Sequence, residues 1–367
     1  MKSARPVGSR IESTSNRPLA IDAENVSVTY EDGTEAVRGV SLEVEPGEFF
    51  GFLGPNGAGK TTTIRALVTL LYPTEGSVSI DGLDVRTDPR AVRESIGYMA
   101  QETAVDEELT ARENLRFACR LYGVPKADRS GRIAELLSIV GLEDVADRRT
   151  STFSGGMRKR LDAATALVHR PPLVFLDEPT TGLDPEARIR LWEYVQSLND
   201  AGTTVFLTTQ YLAQADQLCD RIAVIRDGRI VATDSPSALK SRVGGDVLTL
   251  EIADASDRNR ERAARLAEET AAFENPVVER TDDGLRIVAE RARAGAHDLL
   301  VALHEADVRV TGFGVRSPTL DDVFLSLTGE RSDAVEPGRD VAVDESERDV
   351  VIDEPDRDAA VDREVPQ

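Results

Sequence analysis

The sequence predicts an α/β protein whose main part is built on a largely parallel sheet. Over residues 19 to about 235, short β-branched runs alternate with amphipathic helical stretches, the pattern of strands joined by crossover helices. The earliest strands read as antiparallel edge pieces of a mixed sheet. A second alternation of strands and helices starts near residue 245 and predicts an additional, smaller α/β unit.

The 367 residues divide into four parts. Residues 1–18 are expected to form a disordered arm, and residues 19–240 form the main domain. A small C-terminal α/β domain follows at 241–330. Residues 331–367 are rich in Asp, Glu, Pro and Arg without periodicity, which predicts a disordered acidic tail.

The formal net charge is −22, and it comes with very little lysine. Lysine occupies only positions 2, 60, 126, 159 and 240. An acidic, lysine-poor surface stays soluble where salt screens its self-repulsion, so we hypothesise a cytosol of high ionic strength, as in a halophile. The alternative is an ordinary acidic protein with disordered acidic ends, and unfolding measured against KCl concentration separates the two.

Charge and composition also argue against several functional classes. No basic stripe is evident that would neutralise phosphates, so nucleic acid is not expected as a partner. Cys119 and Cys219 form neither a metal-binding cluster nor a disulfide framework. No run approaches the roughly 20 apolar residues that span a bilayer, and the N-terminus lacks the apolar stretch of a signal peptide.

The most specific motif is a glycine-rich loop between a predicted strand and a predicted helix. It fits two glycines that bracket four residues, followed by Lys and Thr, and reads Gly54-Pro55-Asn56-Gly57-Ala58-Gly59-Lys60-Thr61. Backbone N–H groups of such a loop curl around a phosphate, and the helix dipole adds to the attraction. Lys60 is placed to reach the β and γ phosphates, and the Thr61 hydroxyl to bind Mg²⁺.

Two further motifs narrow the class of phosphate-binding protein. Ser154, Gly155 and Gly156 precede a predicted helix, which makes a second anion site or a simple N-cap. Asp177 and Glu178 end the apolar run LVFLDE, where one carboxylate can hold Mg²⁺ and the next can accept a proton from an attacking water.

In this order and combination, the motifs in residues 19–235 resemble those of the ATP-binding subunit of an ABC transporter. SGGM at 154–157 stands where the family usually has SGGQ, so Met157 is a departure. LVFLDE at 173–178 resembles the Walker B strand, and TTGLDP at 180–185 resembles the D-loop. The resemblance implies a P-loop NTPase of ABC type, with a helical subdomain at about 101–165.

The resemblance also implies a set of site residues, with ATP and Mg²⁺ as cofactors. Tyr30 would lie under the adenine, although a strand tyrosine is often only packed. Other implied ATP contacts are Gly54, Pro55, Asn56, Gly57, Ala58, Gly59, Lys60, Thr61, Thr62, Gln101, Ser154, Gly155, Gly156 and Asp184. The implied Mg²⁺ ligands are Thr61, Gln101 and Asp177, and the implied catalytic residues are Glu178 and Gln210.

Gln210 ends the apolar run TTVFLTT, at a position where most of the family has a histidine that touches the γ-phosphate. A glutamine amide still donates a hydrogen bond to a phosphate oxygen, but it carries no charge. We therefore expect hydrolysis to be retained, with an altered rate or pH dependence. Together with FSGGMRKRLD and SPTLDDVFLSLTGE, the segment LTTQYLAQAD resembles the daunorubicin-resistance branch of ABC exporters.

That branch implies a peripheral subunit on the cytoplasmic face of the membrane, which serves an integral membrane permease on another chain. One P-loop and one signature per chain imply a homodimer that sandwiches ATP between two copies. The leading interpretation is an ATPase that drives export of a drug-like or lipid-like molecule. An importer ATPase and a soluble regulatory or nucleic-acid-associated ATPase remain as alternatives.

Overall fold

The computed structural model describes residues 18–328. The predicted acidic tail at 331–367 and all of the predicted N-terminal arm except Pro18 lie outside the described residues. Within residues 18–328 the chain forms three sheets. Two of them belong to the main domain, and the third lies in the C-terminal segment.

The first strands form an antiparallel sheet of their own, in the order β2-β1-β4-β5, instead of edging the parallel sheet. Ile21 pairs with Val44 on one side and with Ile80 on the other, so three apolar side chains are buried in one row. The strands are β1 Ile21–Thr29, β2 Glu35–Val44, β4 Glu75–Ile80 and β5 Leu83–Asp84.

The second sheet has six strands in the order β10-β9-β3-β8-β7-β6. All neighbours run parallel except β10, which pairs antiparallel with β9. The central strands β3, β7 and β8 are buried along their whole length, as near-continuous apolar runs in parallel sheets usually are. The strands are β3 Phe49–Leu53, β6 Ile96–Met99, β7 Leu173–Asp177, β8 Thr204–Thr208, β9 Arg221–Arg226 and β10 Arg229–Asp234.

The two faces of this sheet have different cores. On one face Phe206 contacts Phe50, Phe52 and Phe175 at ring-centroid distances of 5.4–5.6 Å, and this layer packs against the first sheet and the first helix. On the other face the alternate strand residues pack against most of the helices. Those alternating contacts fix the sheet between two layers, and its strand ends form an edge at which loops converge.

The helices of the main domain begin at residues suited to that position. Thr110 and Glu113 form a reciprocal capping box, and Ser154, Asp184 and Ser235 each accept a hydrogen bond from the first turn. The helices are α1 Lys60–Leu67, α2 Pro89–Ser95, α3 Ala111–Leu121, α4 Arg129–Ile139, α5 Gly155–Ala166, α6 Pro185–Asp200, α7 Leu212–Leu218 and α8 Pro236–Ser241. The predicted helical subdomain at 101–165 contains α3, α4 and all of α5 except its last residue.

The C-terminal segment forms an antiparallel sheet in the order β12-β13-β11-β14. Its strands are β11 Asp246–Ile252, β12 Glu274–Arg280, β13 Gly284–Glu290 and β14 Val310–Arg316, and its helices are α9 Asp257–Glu269, α10 Ala292–Glu305 and α11 Leu320–Thr328. The sequence pattern did not indicate β12. This edge strand contains Pro276, and Val277 is 65% exposed, so it lacks the apolar alternation of its neighbours.

Helix α11 packs against the main domain rather than only against its own sheet. Leu320, Val323 and Phe324 belong to the apolar core that also contains Leu212 of α7 and Leu239 of α8. On the other side, Asp322 is bound by arginines of the C-terminal sheet. The helix therefore joins the two parts of the described chain.

Candidate ATP site

The glycine loop connects the buried end of β3 to the start of α1. A Cβ atom at Gly54 would lie 2.3 Å from the carbonyl oxygen of Ile225, and one at Gly59 would lie 2.5 Å from that of Ala36. Gly59 also has a φ angle of +104°, a left-handed conformation that glycine adopts without strain. Both positions therefore require glycine for backbone reasons.

Lys60 holds its ammonium group against this loop. Nζ donates hydrogen bonds to the carbonyl oxygens of Gly54 at 2.6 Å and Pro55 at 3.0 Å. Lys60 begins α1, whose first turn contains no acidic residue to compete for the positive end of the helix dipole. The loop thus combines a cation, a helix N-terminus and close backbone, which is the composition of a phosphate site.

Tyr30 lies beside this loop, one residue beyond the end of β1. Its hydroxyl is 3.0 Å from Oγ1 of Thr62, a residue in the first turn of α1. The residue is 37% exposed, so a ligand can reach it. The residue proposed to stack on adenine is therefore adjacent to the proposed phosphate site.

Asp177 ends β7 and is almost fully buried, with 1% of its surface exposed. The hydroxyl of Thr208, which is its partner on β8, donates a hydrogen bond of 2.6 Å to Oδ1. The other carboxylate oxygen, Oδ2, is buried and has no hydrogen-bond partner among the described residues. A buried oxygen without a partner costs free energy, so Oδ2 would gain from a ligand that reaches this strand end.

Glu178 follows in a left-handed conformation, with φ of +53°. Its backbone N–H donates to the carbonyl oxygen of Thr208 at 3.1 Å, which ties the turn to β8. Its Oε2 accepts a hydrogen bond of 2.9 Å from the hydroxyl of Thr181. Non-glycine residues in this conformation are strained and concentrate at functional sites. The turn orients the carboxylate differently from that of Asp177.

The strand order brings four of the predicted elements to one edge of the sheet. The adjacent strands β3, β8, β7 and β6 all run in the same direction, and their carboxyl ends carry the glycine loop, Gln210, the Asp177–Glu178 pair and Gln101. Gln210 is half-buried and lies two residues beyond β8, whereas Gln101 is exposed and lies two residues beyond β6. Such an edge is where open parallel sheets bind ligands.

The second anion motif lies at the start of α5, beside the segment 180–185. The Ser154 hydroxyl accepts a hydrogen bond of 3.2 Å from the Met157 N–H, and a Cβ at Gly156 would lie 3.3 Å from the Gly182 carbonyl oxygen. Oδ1 of Asp184 accepts a hydrogen bond of 2.8 Å from the Ala187 N–H at the start of α6. This hydrogen bond lowers the pKa of Asp184. Ser154 and Asp184 therefore serve as helix caps within their own chain.

Comparison with known proteins gives matches that cover up to 87% of the chain. The ABC transporter family model matches residues 37–181, and a model of the C-terminal domain of DrrA1-3-like ATP-binding proteins matches residues 235–328. The daunorubicin/doxorubicin resistance ATP-binding protein DrrA of Streptomyces peucetius is 46% identical over 316 residues, 86% of this chain and 94% of that protein. The doxorubicin resistance ATP-binding protein DrrA of Mycobacterium tuberculosis is 40% identical over 328 residues, 87% and 97% of the two chains.

The chain belongs to the ATP-binding proteins of ABC transporters. Among solved structures it is similar to an ATP-binding subunit of an ABC transporter, with 31% identity and a TM-score of 0.58 over 61% of this chain and 93% of the other. It is also similar to a dimeric ATP-binding cassette in a post-hydrolysis state with bound ADP and Pi, with 29% identity and a TM-score of 0.55 over 59% and 98%. The predicted family, branch and fold class are confirmed, and the chain is an ABC-type ATPase.

Two buried charged groups of this ATPase were not indicated by the sequence. Lys159 Nζ lies 3.5 Å from the Gln101 carbonyl oxygen, and Asp162 Oδ1 accepts a hydrogen bond of 3.2 Å from the Ala104 N–H. Burial raises the pKa of Asp162 to about 6 and lowers the pKa of Lys159, although nearby Glu178, Asp162 and Asp177 oppose the second shift. These groups attach α5 to the segment that follows β6.

The donor set of the site fits Mg²⁺ held together with a phosphate ligand. Within residues 18–328 no group of three or more His, Cys, Asp or Glu side chains could hold a metal ion. Asp177 Oδ2 is nevertheless a buried oxygen without a partner, next to the glycine loop edge. Mg²⁺ commonly binds through one or two carboxylates plus substrate phosphates.

The described residues include no helix that is both long and apolar enough to span a bilayer.

Proposed function

We propose that this chain is the ATP-hydrolysing subunit of an exporter that moves a drug-like or lipid-like molecule through a permease on another chain. The similarity extends through the C-terminal segment to relatives whose names are daunorubicin and doxorubicin resistance proteins. Another relative, 35% identical, is the linearmycin resistance ATP-binding protein LnrL of Bacillus subtilis. This similarity, which covers both parts of the described chain, carries the export proposal.

The glycine loop would hold the triphosphate, with Lys60 at the β and γ phosphates and Tyr30 at the adenine. Mg²⁺, when bound, neutralises phosphate charge. Thr61 and Asp177 would hold it, and the partnerless Oδ2 of Asp177 supports that role. The exposed Gln101 would complete this set from the end of β6.

Glu178 would accept the proton of the attacking water. Its carboxylate is supported by Thr181, and the buried turn fixes its position. Gln210 would donate a hydrogen bond to the terminal phosphate from the adjacent strand end. Charge stabilisation and positioning dominate phosphoryl transfer, so these neutral and anionic groups need no covalent step.

A second copy of the chain would complete the site. Ser154, Gly155 and Gly156 lie at the N-terminus of α5, whereas the glycine loop leads into α1, and Asp184 caps α6. In the proposed dimer these residues face the glycine loop of the other copy. The similarity to a dimeric cassette with bound ADP and Pi supports this arrangement.

The test is ATP hydrolysis by the purified chain with Mg²⁺ over a range of KCl concentrations. We expect Glu178→Gln to abolish hydrolysis, whereas Glu193→Gln, the same change at an exposed position of α6, leaves it unchanged. In sedimentation, ATP should convert Glu178→Gln to a dimer. Equal rates of ATP hydrolysis for the parent chain and Glu178→Gln would contradict the role of Glu178.

Unfolding measured in the same KCl series tests the proposal that the protein is halophilic. That proposal fails if low salt does not lower the stability of the fold.

The place of the ATPase in a transporter is tested by isolating it from the membranes of cells that produce it. We expect an integral membrane protein without nucleotide motifs to co-purify, which would attach the chain to the membrane, and protection of the chain from protease added outside intact cells would agree with the cytoplasmic face. Co-purification of a solute-binding protein as well would favour an importer. Recovery entirely in the soluble fraction, with no membrane partner, would contradict the transporter proposal.

A further inference from the structure

A guanidinium group connects α6 to the turn that contains Gln210. Arg188 is the fourth residue of α6, and its Cζ lies 4.3 Å from the centroid of the Tyr211 ring. Its Nη2 also lies 3.4 Å from the Tyr211 hydroxyl and 3.5 Å from the carbonyl oxygen of Leu183. Because both hydrogen bonds are long, the stacking of the guanidinium on the ring is the main contact.

The start of α6 fixes the backbone of Arg188 against the segment 180–185. Asp184 caps the helix, and its carbonyl oxygen accepts a hydrogen bond of 3.0 Å from the Arg188 N–H. The Cα–Cβ bonds of a helix tilt toward its N-terminus, where the helix dipole disfavours a cation. Helix α6 by itself therefore does not favour a positive side chain at this position, and the contacts with Tyr211 and Leu183 stabilise it there.

The residues on both sides of Gln210 are held by hydrogen bonds. The Tyr211 N–H donates to Oγ1 of the buried Thr209 at 3.0 Å. The Tyr211 carbonyl oxygen accepts a hydrogen bond of 3.0 Å from the Gln214 N–H, where α7 begins. Because Gln210 lies between Thr209 and Tyr211, the position of Tyr211 determines the direction in which the Gln210 side chain leaves the turn.

A glutamine at this strand end depends on such support. Its side chain has several rotatable bonds, and its amide is neutral, so no net charge attracts it to a phosphate. A hydrogen bond from Gln210 to the terminal phosphate therefore requires that the backbone direct the side chain correctly. Small errors in the position of a group at a reacting centre lower the rate strongly.

We propose that Arg188 is a positioning residue for Gln210, which it directs to the terminal phosphate by stacking on Tyr211. The inference rests on the proposed role of Gln210 in ATP hydrolysis, and it adds a residue that acts through the turn rather than on ATP. Arginine suits this position, because its planar guanidinium stacks on an aromatic ring while its N–H groups reach a carbonyl oxygen.

The test is a double-mutant cycle of Arg188→Leu and Gln210→Ala, with kcat and KM for ATP measured on the purified chain with Mg²⁺. We expect each single change to lower kcat about tenfold and to leave KM within about twofold, because either change removes the same hydrogen bond to the phosphate. The double variant should be no slower than Gln210→Ala alone.

Two outcomes of this cycle separate the inference from the function on which it rests. If the two losses multiply to about a hundredfold, Arg188 acts independently of Gln210, and the inference alone is overturned. If Gln210→Ala leaves kcat unchanged, the proposed role of Gln210 is wrong, and the inference is overturned with it.

The pH dependence of kcat provides a readout that a merely structural role of Arg188 would not change. In Gln210→His, kcat should follow protonation of the new imidazole near its ordinary pKa of about 6.5. Adding Arg188→Leu to this variant should remove the inflection, because the ring is no longer held at the phosphate. An inflection of the same size with and without Arg188→Leu would overturn the proposal.

Changes at Tyr211 test the same contact from the other side. Tyr211→Phe keeps the aromatic face and should keep kcat within about twofold, whereas Tyr211→Leu should be as slow as Arg188→Leu. The matched control is Arg190→Leu, which removes an exposed arginine of α6 that is paired with Glu186 and should leave kcat unchanged. Thermal unfolding shows whether each variant is folded. A folded Tyr211→Leu variant that hydrolyses ATP at the parent rate would overturn the proposal.

Discussion

Two buried aspartates, Asp177 in the ATP site and Asp322 in α11, have opposite surroundings. Asp177 accepts one hydrogen bond, from Thr208, and its second oxygen has no partner among residues 18–328. Asp322 is bound at both oxygens by Arg286, Arg316 and the N–H of Thr319. Among the described residues, Asp177 therefore has one carboxylate oxygen without a hydrogen-bond partner, whereas both oxygens of Asp322 have partners.

The difference distinguishes Asp177, which is suited to bind a ligand, from Asp322, which holds parts of the fold together. Burial raises the pKa of Asp322, but its bonds to Arg316, Thr319 and Arg286 outweigh burial, and the pKa lies well below its usual range. That carboxylate stays ionised and holds β13, β14 and α11 together. Lys159 interacts electrostatically with Asp177, but Oδ2 of Asp177 has no hydrogen-bond partner among the described residues, so this oxygen is suited to a metal that arrives with the substrate.

Asp177→Asn should show the larger effect on activity. We expect ATP hydrolysis to fall by about 10³-fold, because the change removes a charge from a preorganised electrostatic site. Thermal unfolding should be unchanged or shifted upward, since the change removes the buried charge of a carboxylate whose Oδ2 has no hydrogen-bond partner among the described residues. The control is Asp200→Asn, at the exposed end of α6, which should leave both properties unchanged. A destabilised but active Asp177→Asn variant would reverse the comparison.

Asp322→Asn should show the complementary result. We expect a loss of about 3–4 kcal/mol in the free energy of unfolding, because two arginines lose a buried carboxylate. Hydrolysis per folded molecule should stay near the parent rate. The control is the neighbouring Asp321→Asn, where burial and then the charge of Asp322 already raise the pKa of the carboxyl. If both changes destabilise equally, the arginine cluster does not hold the joint.

Asp162 tests whether a partnerless oxygen is sufficient to mark a ligand site. Its Oδ2 is also buried without a partner, yet it lies behind the segment that follows β6. With a folded-state pKa of about 6, the folded chain keeps this proton between pH about 4 and 6, where the unfolded chain has lost it. This residue therefore makes stability fall as pH rises through that range, with no further change above it.

Asp162→Asn should remove this pH dependence and raise the free energy of unfolding at pH 7 by about 2–3 kcal/mol. The amide oxygen can still accept the Ala104 hydrogen bond. The measurement is denaturant unfolding from pH 4 to 7, with Asp144→Asn, an exposed site in the same helical region, as the control. If the free energy of unfolding depended on pH in the same way in the parent chain and in Asp162→Asn, the pKa of Asp162 would not be raised by burial.

The sequence predicted the site best where the functional residues are consecutive in one segment. The glycine loop and the LVFLDE strand could be read locally, because the chemistry lies within a few consecutive residues. Thr208 and Thr181 were missed as partners of Asp177 and Glu178. Thr208 reaches Asp177 only because β8 pairs with β7, which no local pattern specifies.

The missed strand β12 has a related physical cause. It is an edge strand with an exposed Val277. Such strands need only one neighbour and little burial, so their sequences lack a strong period-2 pattern. The docking of α11 on the main domain was not predicted, because an apolar stripe such as that of Leu320–Leu327 could equally pack within its own domain.

Gln210 gives the smallest and most specific test of the active edge. Gln210→Ala should lower hydrolysis only about tenfold, since one neutral hydrogen bond to a phosphate is lost rather than a charge. Gln210→His should introduce a pH dependence centred near the ordinary histidine pKa of about 6.5, because protonation adds a positive charge beside the phosphate site. His169 cannot supply this in the parent chain. It is stacked on Tyr122 at 4.0 Å, and its Nε2 lies 3.1 Å from the Ile96 carbonyl oxygen.

The measurement is kcat for ATP between pH 5.5 and 8, with Gln214→His on α7 as the positional control. A new inflection in Gln210→His alone would place position 210 at the reacting phosphate. An unchanged pH dependence of kcat in both variants would mean that position 210 does not contact the phosphate. Catalysis would then depend on Asp177 and Glu178 without a polar group that follows β8. In that case the incomplete carboxylate of Asp177, rather than the strand-end amide, is the feature that distinguishes this edge from the saturated joint at Asp322.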